Sequence, residues 1–198
     1  MTSIQQGGKS PGTWSQASFL PEDLRSPVAN AEILLVPGEG YAEHHDLRYF
    51  PSGTIDFLNF LKEHAPETRI EICAADDDYR EVLRHADILY LANVVLEHVA
   101  LPVLIHLVMK YVEHRRAHRK ELPHVHMNVT IHDAKTDRAV TLDYEGASTA
   151  FEKEALNALH ALTTPQPKHP PKSIRPGPPT ARKLPAARRQ RRPAKRPR

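Results

Sequence analysis

Two places in this sequence gather side chains capable of acid–base or cation chemistry. Glu39, Glu43, His44, His45 and Asp46 lie close together, and Asp76, Asp77 and Asp78 form an unbroken acidic run. Imidazoles and carboxylates that converge can divide acid and base roles, or hold a hard cation such as Mg²⁺ through oxygen. His44, His45, Asp46, Asp76 and Asp77 are therefore the catalytic candidates. The same residues have plain structural uses. Asp76 to Asp78 can cap and open a helix beginning near Tyr79, and the His44 group can occupy a polar loop with no ligand.

The other histidines are paired by spacing. His114 and His118 stand four apart on a helical stretch, and His124 and His126 share one face of a strand, both acceptable spacings for zinc. Because Val125, Met127 and Val129 take the opposite strand face, these histidines are expected to face water, and no metal site is assigned. His98 and His106 interrupt an apolar run and are expected as hydrogen-bonded core or interface residues. Gly7-Gly8-Lys9-Ser10 has the ring of a phosphate loop. It lacks the earlier glycine and the preceding strand, and Pro11 opposes the helix that should follow. Gly38-Glu39-Gly40 follows a strand as a dinucleotide turn would, yet no third glycine arrives and Glu39 would repel a phosphate. No cofactor is expected.

Charge is segregated along the chain. Residues 164–198 hold twelve basic residues and no Asp or Glu. Taking those twelve from the chain's 27 Lys and Arg leaves fifteen to set against 24 acidic residues, a formal charge of −9 on everything before. Ten of the 18 prolines also fall in this tail, where Ile174 and Leu184 are the only large aliphatics. Such a segment cannot bury enough apolar area to offset its ordering entropy, so it is expected to be disordered. Its densest cations, Arg182, Lys183, Arg188, Arg189, Arg191, Arg192, Lys195, Arg196 and Arg198, are the nucleic-acid-binding candidates. A flexible polycation gains affinity for phosphates by releasing counterions, without reading bases. The lack of interleaved aromatics argues against stacking on single strands. A solubilising role, or screening of the tail's own acidic body, would use the same charges.

The elements between the two ends alternate. Ile33-Leu34-Leu35-Val36, ended by Pro37-Gly38, has the form of a strand buried on both faces. Ile55 to Leu61 carries a helical stripe behind an N-cap at Ser52 to Thr54. Arg69 to Ala74 is expected as a second strand, Asp77 to Ala86 as a short helix, and Ile88 to Leu91 as a third strand. Asn93 to Arg119 is expected as one long central helix with a basic end, kinked or divided at Pro102. The alternation through Val125, Met127, Val129 and Ile131, then Val140, Leu142 and Tyr144, predicts two antiparallel strands turning at Lys135 to Asp137. A helix over Thr149 to Leu162 closes the body. The expected fold class is α/β: a small, mostly parallel βαβαβ sheet, a long helix and a ββα unit. The domain reading is a loose N-terminal arm over 1–30, an α/β domain over 31–163, and a disordered basic tail over 164–198.

Within Leu101 to Leu162, the apolar helix ending in His and Arg, His124-Val125-His126-Met127-Asn128-Val129, and Ala139 to Ser148 before an acidic helix are similar to small uncharacterised bacterial proteins. The stretch resembles the effector-associated constant-component domains of bacterial conflict systems. The resemblance implies an adaptor-like module without established catalytic residues, so no site residue carries over.

One cysteine, Cys73, excludes an internal disulfide framework and points to a reducing, cytoplasmic setting, nucleoid-associated or nuclear where the tail directs it. No leader is read at the N-terminus. Val94 to Met109 includes Glu97, His98, Pro102 and His106 and falls short of a membrane span. The function expected is a non-catalytic interaction module meeting a protein partner through its body and nucleic acid through its tail. A small metal-assisted enzyme built on the His44 and Asp76 groups is the rival, and a peripheral membrane-surface binder the third reading.

Overall fold

Strands of alternating residues form where one face of a sheet is buried and the other is not. The longest pair here does so. In a computed structural model that describes residues 2–38, 48–82, 88–116 and 124–163, β8 (His124–Asp133) and β9 (Arg138–Ala147) pair antiparallel over ten residues each. Val125, Met127, Val129 and Ile131 of β8, with Val140, Leu142 and Tyr144 of β9, all point into the main core. The turn between them is held by Asp133, whose carboxylate accepts from Lys135 N at 3.0 Å and Thr136 Oγ1 at 2.7 Å. α5 (Ser148–Thr163) follows directly and buries Phe151, Ala155, Ala158 and Leu162.

Around this hairpin the described residues build a mixed sheet. Its main path runs β1 (Thr2–Gln6), β9, β8, β7 (Asn93–Glu97), β2 (Ile33–Val36) and β4 (Ile70–Ile72), while β6 (Ile88–Tyr90) pairs with β8 off that path. β2–β4, β7–β8 and β6–β8 are parallel; β2–β7, β8–β9 and β1–β9 are antiparallel. A separate short parallel ribbon joins β3 (Phe50–Pro51) to β5 (Glu81–Val82). α3 (Thr54–His64) and α4 (Leu101–Arg116) pack with α5 on one face, around Ile33, Leu35, Ile70, Val94 and Leu96. The fold is thus mixed α/β, and all described residues lie within the unit Met1–Thr164.

Five expectations are corrected. The arm over 1–30 is not loose: Thr2–Gln6 is an edge strand on β9, and α1 (Pro11–Trp14) and α2 (Glu22–Ala29) cover part of the sheet's second face. Trp14, Leu20 and Val28 are buried there against Leu34, Val36, Cys73 and Val95. The helix expected from Asn93 starts eight residues later. Asn93–Glu97 is instead the strand between β2 and β8, and buried strands and buried helices share one continuous apolar signature. Pro102 consequently falls in the first turn of α4, where its missing N–H costs nothing, and neither kinks nor divides the helix. The helix expected over Asp77 to Ala86 is also absent from the described part of that range. A single 3₁₀ turn, Asp76–Asp78, leads through extended Tyr79 into β5. The βαβαβ order is therefore broken, because β6 docks on β8 and not beside β4.

The second face of the sheet has two halves. Over β2 and β7 its positions are Leu34, Val36 and Val95, and α1 and α2 cover them. Over β8 and β9 they are His126, Asn128, Thr130 and His132, facing Glu145, Asp143, Thr141 and Ala139 across the ladder. The chain crosses this polar half at Gly7-Gly8. Gly7 N donates to Ala139 O at 2.8 Å, Thr141 Oγ1 donates to Gly7 O at 2.9 Å, and Thr130 and Thr141 share a hydroxyl contact of 2.9 Å. A Cβ on Gly8, whose φ is +151°, would stand 2.4 Å from Thr130 Cγ2. The two glycines thus serve a close crossing, and Ser10 caps the helix that Pro11 begins.

Candidate functional site

The candidate site is a cleft at one end of the polar half-face. Its origin is a mismatch in pairing. Tyr90 pairs with His126 and Val94 with Val129, so four steps on the β6–β7 side span three on β8. The extra residue is a bulge, which bends a strand and re-aims its side chains. Leu91 and Ala92 turn inward to the core, Leu91 N donates to His126 O at 2.9 Å, and Asn93 comes onto the polar side.

Asn93, His126, Asn128 and Asp143 share a small open cleft, walled by Tyr49, Phe50 and Tyr90. Gly38 closes one side: its N–H donates to Tyr49 O at 2.9 Å, and a Cβ there would touch the Asn93 amide at 3.6 Å. His126 Nε2 lies 3.5 Å from Asp143 Oδ1, diagonally across the β8–β9 ladder, and its ring lies 5.1 Å from that of Tyr90. An imidazole beside a carboxylate is oriented to exchange a proton, and two carboxamides offer donors and acceptors to a polar ligand. Among the described residues lining the cleft there is no serine, threonine, cysteine or lysine to act as a nucleophile. The lining offers proton exchange at His126 and Asp143 and hydrogen bonding at two carboxamides, beside aromatic walls.

A second histidine cluster lies at the other end of β8. His132 is buried, with Nδ1 3.4 Å from Glu97 Oε1 and Nε2 3.4 Å from Asp137 Oδ1. His98 Nδ1 stands 3.8 Å from Asp133 Oδ1 beside it. Asp137 adopts a positive φ of 50° in the hairpin turn, so this cluster ties β7 to the turn. Its pattern of contacts is that of a latch between elements. Among the described residues no group of three or more His, Cys, Asp or Glu is arranged to hold a metal ion.

Asp76 and Asp77 are exposed on the 3₁₀ turn, and they cap no helix at Tyr79 because none follows. His44, His45 and Asp46 lie outside the described residues, as do His118 and the tail cations from Arg182 to Arg198. His124 is exposed, whereas its face-mate His126 turns into the cleft. His106 is exposed on α4 and is not a core residue, and His98 sits in the 3₁₀ turn ahead of that helix. Sequence reasoning missed Asn93, Asn128 and Asp143. The alternation put Asn128 and Asp143 on the polar side, but only the register brings them together with Asn93 and His126.

No family model, curated protein or solved structure matches the chain. Among the described residues no helix is long and apolar enough to cross a membrane.

Proposed function

We propose that the chain is a non-catalytic interaction module, whose body binds a partner or small ligand and whose segment 164–198 draws it to nucleic acid or another polyanion without base readout. The observation that carries the reading is the charge segregation: twelve cations and no carboxylate after residue 163, against a body of net −9. Such a run releases counterions from a phosphate backbone, while the acidic body discourages the rest of the surface from joining in. The candidate cleft supports a binding role for the body, since its lining pairs orienting polar groups with aromatic walls. The adaptor-like role implied by the resemblance over Leu101 to Leu162 agrees with this.

A gel shift on duplex DNA tests it, comparing the full chain with a variant in which the twelve tail cations are replaced by glutamine. The expected result is binding by the full chain that weakens steeply with salt, and loss of that binding in the variant. Equal binding by the two chains would refute the reading.

A further inference from the structure

A second cleft, which shares Phe50 with the first, lies at the carboxyl ends of β2 and β4, one of the sheet's parallel pairs. Pro37 comes from the end of β2, Cys73 and Ala74 from the end of β4, and Phe19 from the segment between α1 and α2. In open α/β sheets this is where loops leave the strands and ligands find room. The floor is apolar, with Phe50 and Cys73 both buried.

Two guanidinium groups face this apolar space, Arg48 and Arg80. Each is already positioned. Arg48 lies over the Phe19 ring at 3.8 Å, and Arg80 Nη1 donates to Asp77 O and Tyr79 O, both at 2.8 Å. Neither is within ion-pair distance of a carboxylate among the described residues, although the body as a whole carries a surplus of acid. Arginine gives up its water more readily than lysine and presents a planar fork of donors suited to carboxylate and phosphate oxygens. Asp78 also lines the cleft and opposes any anion there.

We infer that this cleft binds a small organic oxyanion, with a phosphate or carboxylate head on Arg48 and Arg80 and an apolar or flat body on Phe50, Phe19 and Ala74. Two fixed donors select the head by charge, and the floor rewards a ligand that is more than a bare ion. The site is distinct from the polar cleft, where Asp143 has no arginine or lysine beside it among the described lining residues, and none of the residues named for it lies in the tail.

The test uses the full chain with its twelve tail cations replaced by glutamine, so that tail binding cannot stand in for the cleft. Phenyl phosphate, benzoate, inorganic phosphate and benzyl alcohol are titrated while the amide signals of Phe50, Cys73 and Ala74 are followed by NMR. Saturable shifts at these three residues with phenyl phosphate or benzoate, and none with benzyl alcohol, are expected. Whichever of the two aryl anions binds tighter identifies the head group. Arg48→Gln and Arg80→Gln, both at exposed positions, should each weaken binding about tenfold, the scale of losing one charge-assisted hydrogen bond. Asp78→Asn should tighten it severalfold. Shifts with benzyl alcohol equal to those with the anions, unchanged affinity in both arginine variants, or inorganic phosphate binding as tightly as phenyl phosphate would overturn the inference. A gel shift that fails with the intact tail would leave this result untouched.

Discussion

The two halves of the sheet's second face carry the same backbone and opposite chemistry. Over β2 and β7 the outward positions are Leu34, Val36 and Val95, and the chain supplies a lid, Trp14, Leu20 and Val28, to keep them from water. Over β8 and β9 they are His126, Asn128, Thr130 and Thr141, where the glycine crossing passes over the two threonines and an open cleft borders His126 and Asn128. Apolar positions demand a cover worth several kcal/mol, whereas polar ones can satisfy each other and leave room for a cleft. The difference teaches that the N-terminal thirty residues serve both halves in different ways: residues 2–8 add backbone pairing and a crossing at β9, while residues 11–30 bring the apolar cover to β2 and β7.

The strongest way to break this contrast is Trp14→Ala. Trp14 is buried in the lid, so its truncation should cost about 3–5 kcal/mol, read as a shift in urea midpoint by far-UV circular dichroism. An unchanged midpoint would return residues 1–30 to the status of a loose arm. The same variant carries an internal reporter. Burial pushes the Cys73 thiol up to about 11, against a lowering by the Arg48 charge, so labelling of the native protein at neutral pH should be slow and should accelerate in Trp14→Ala.

Gly8→Ala probes the crossing on the polar half. Its Cβ would meet Thr130 Cγ2 at 2.4 Å and Thr141 Oγ1 at 2.9 Å, so a loss of about 1–3 kcal/mol is expected from the same unfolding measurement. Adding Thr130→Ser removes the offending methyl and should recover part of that loss. If the double variant is no better than the single, the close approach is not the cause.

Smaller still is Thr141→Val, which deletes the hydroxyl that donates to Gly7 O and contacts Thr130. About 1 kcal/mol should be lost, with the lid's Cys73 labelling rate unchanged in the native protein. A coupled change in labelling would show that the halves are not independent.

The least effect belongs to the hairpin turn. The Thr136 hydroxyl, the Lys135 backbone N–H and the His98 charge lower the Asp133 carboxyl below its ordinary value of 3.8. A carboxyl depressed in the folded state stabilises fully above its unfolded value and loses that contribution as pH falls through the folded one. Thr136→Ala should therefore move the Asp133 titration upward toward 3.8, measured on its side-chain carbon by NMR, with the carboxyl still fully ionised at neutral pH. An unmoved titration would remove the hydroxyl as the main cause.

How far the sequence could be followed depended on the kind of burial. β8, β9 and α5 were legible because each has one wet face and one dry face, so their periods of two and 3.6 are written in the residue order. Asn93–Glu97 was not, since Val94, Val95 and Leu96 are buried on both sides and a run without wet positions has no period. Thr2–Gln6 was missed for the opposite reason: an edge strand of small polar residues gains its structure from β9's free backbone groups. Of the candidate cleft, His126 was visible as a histidine on a strand, while Asn93, Asn128 and Asp143 were ordinary polar residues until the register joined them.

The order of residues alone determined the hairpin with its closing helix, and the separation of a cationic end from an acidic body, because alternation and charge are local properties of composition. Only the tertiary structure decided that Asn93 begins a strand, that the first thirty residues form an edge strand and a lid, and that a one-residue bulge brings Asn93 and His126 into one cleft. Those depend on which backbone finds which partner across the sheet, and pairing between segments far apart in the chain leaves no mark on either segment by itself.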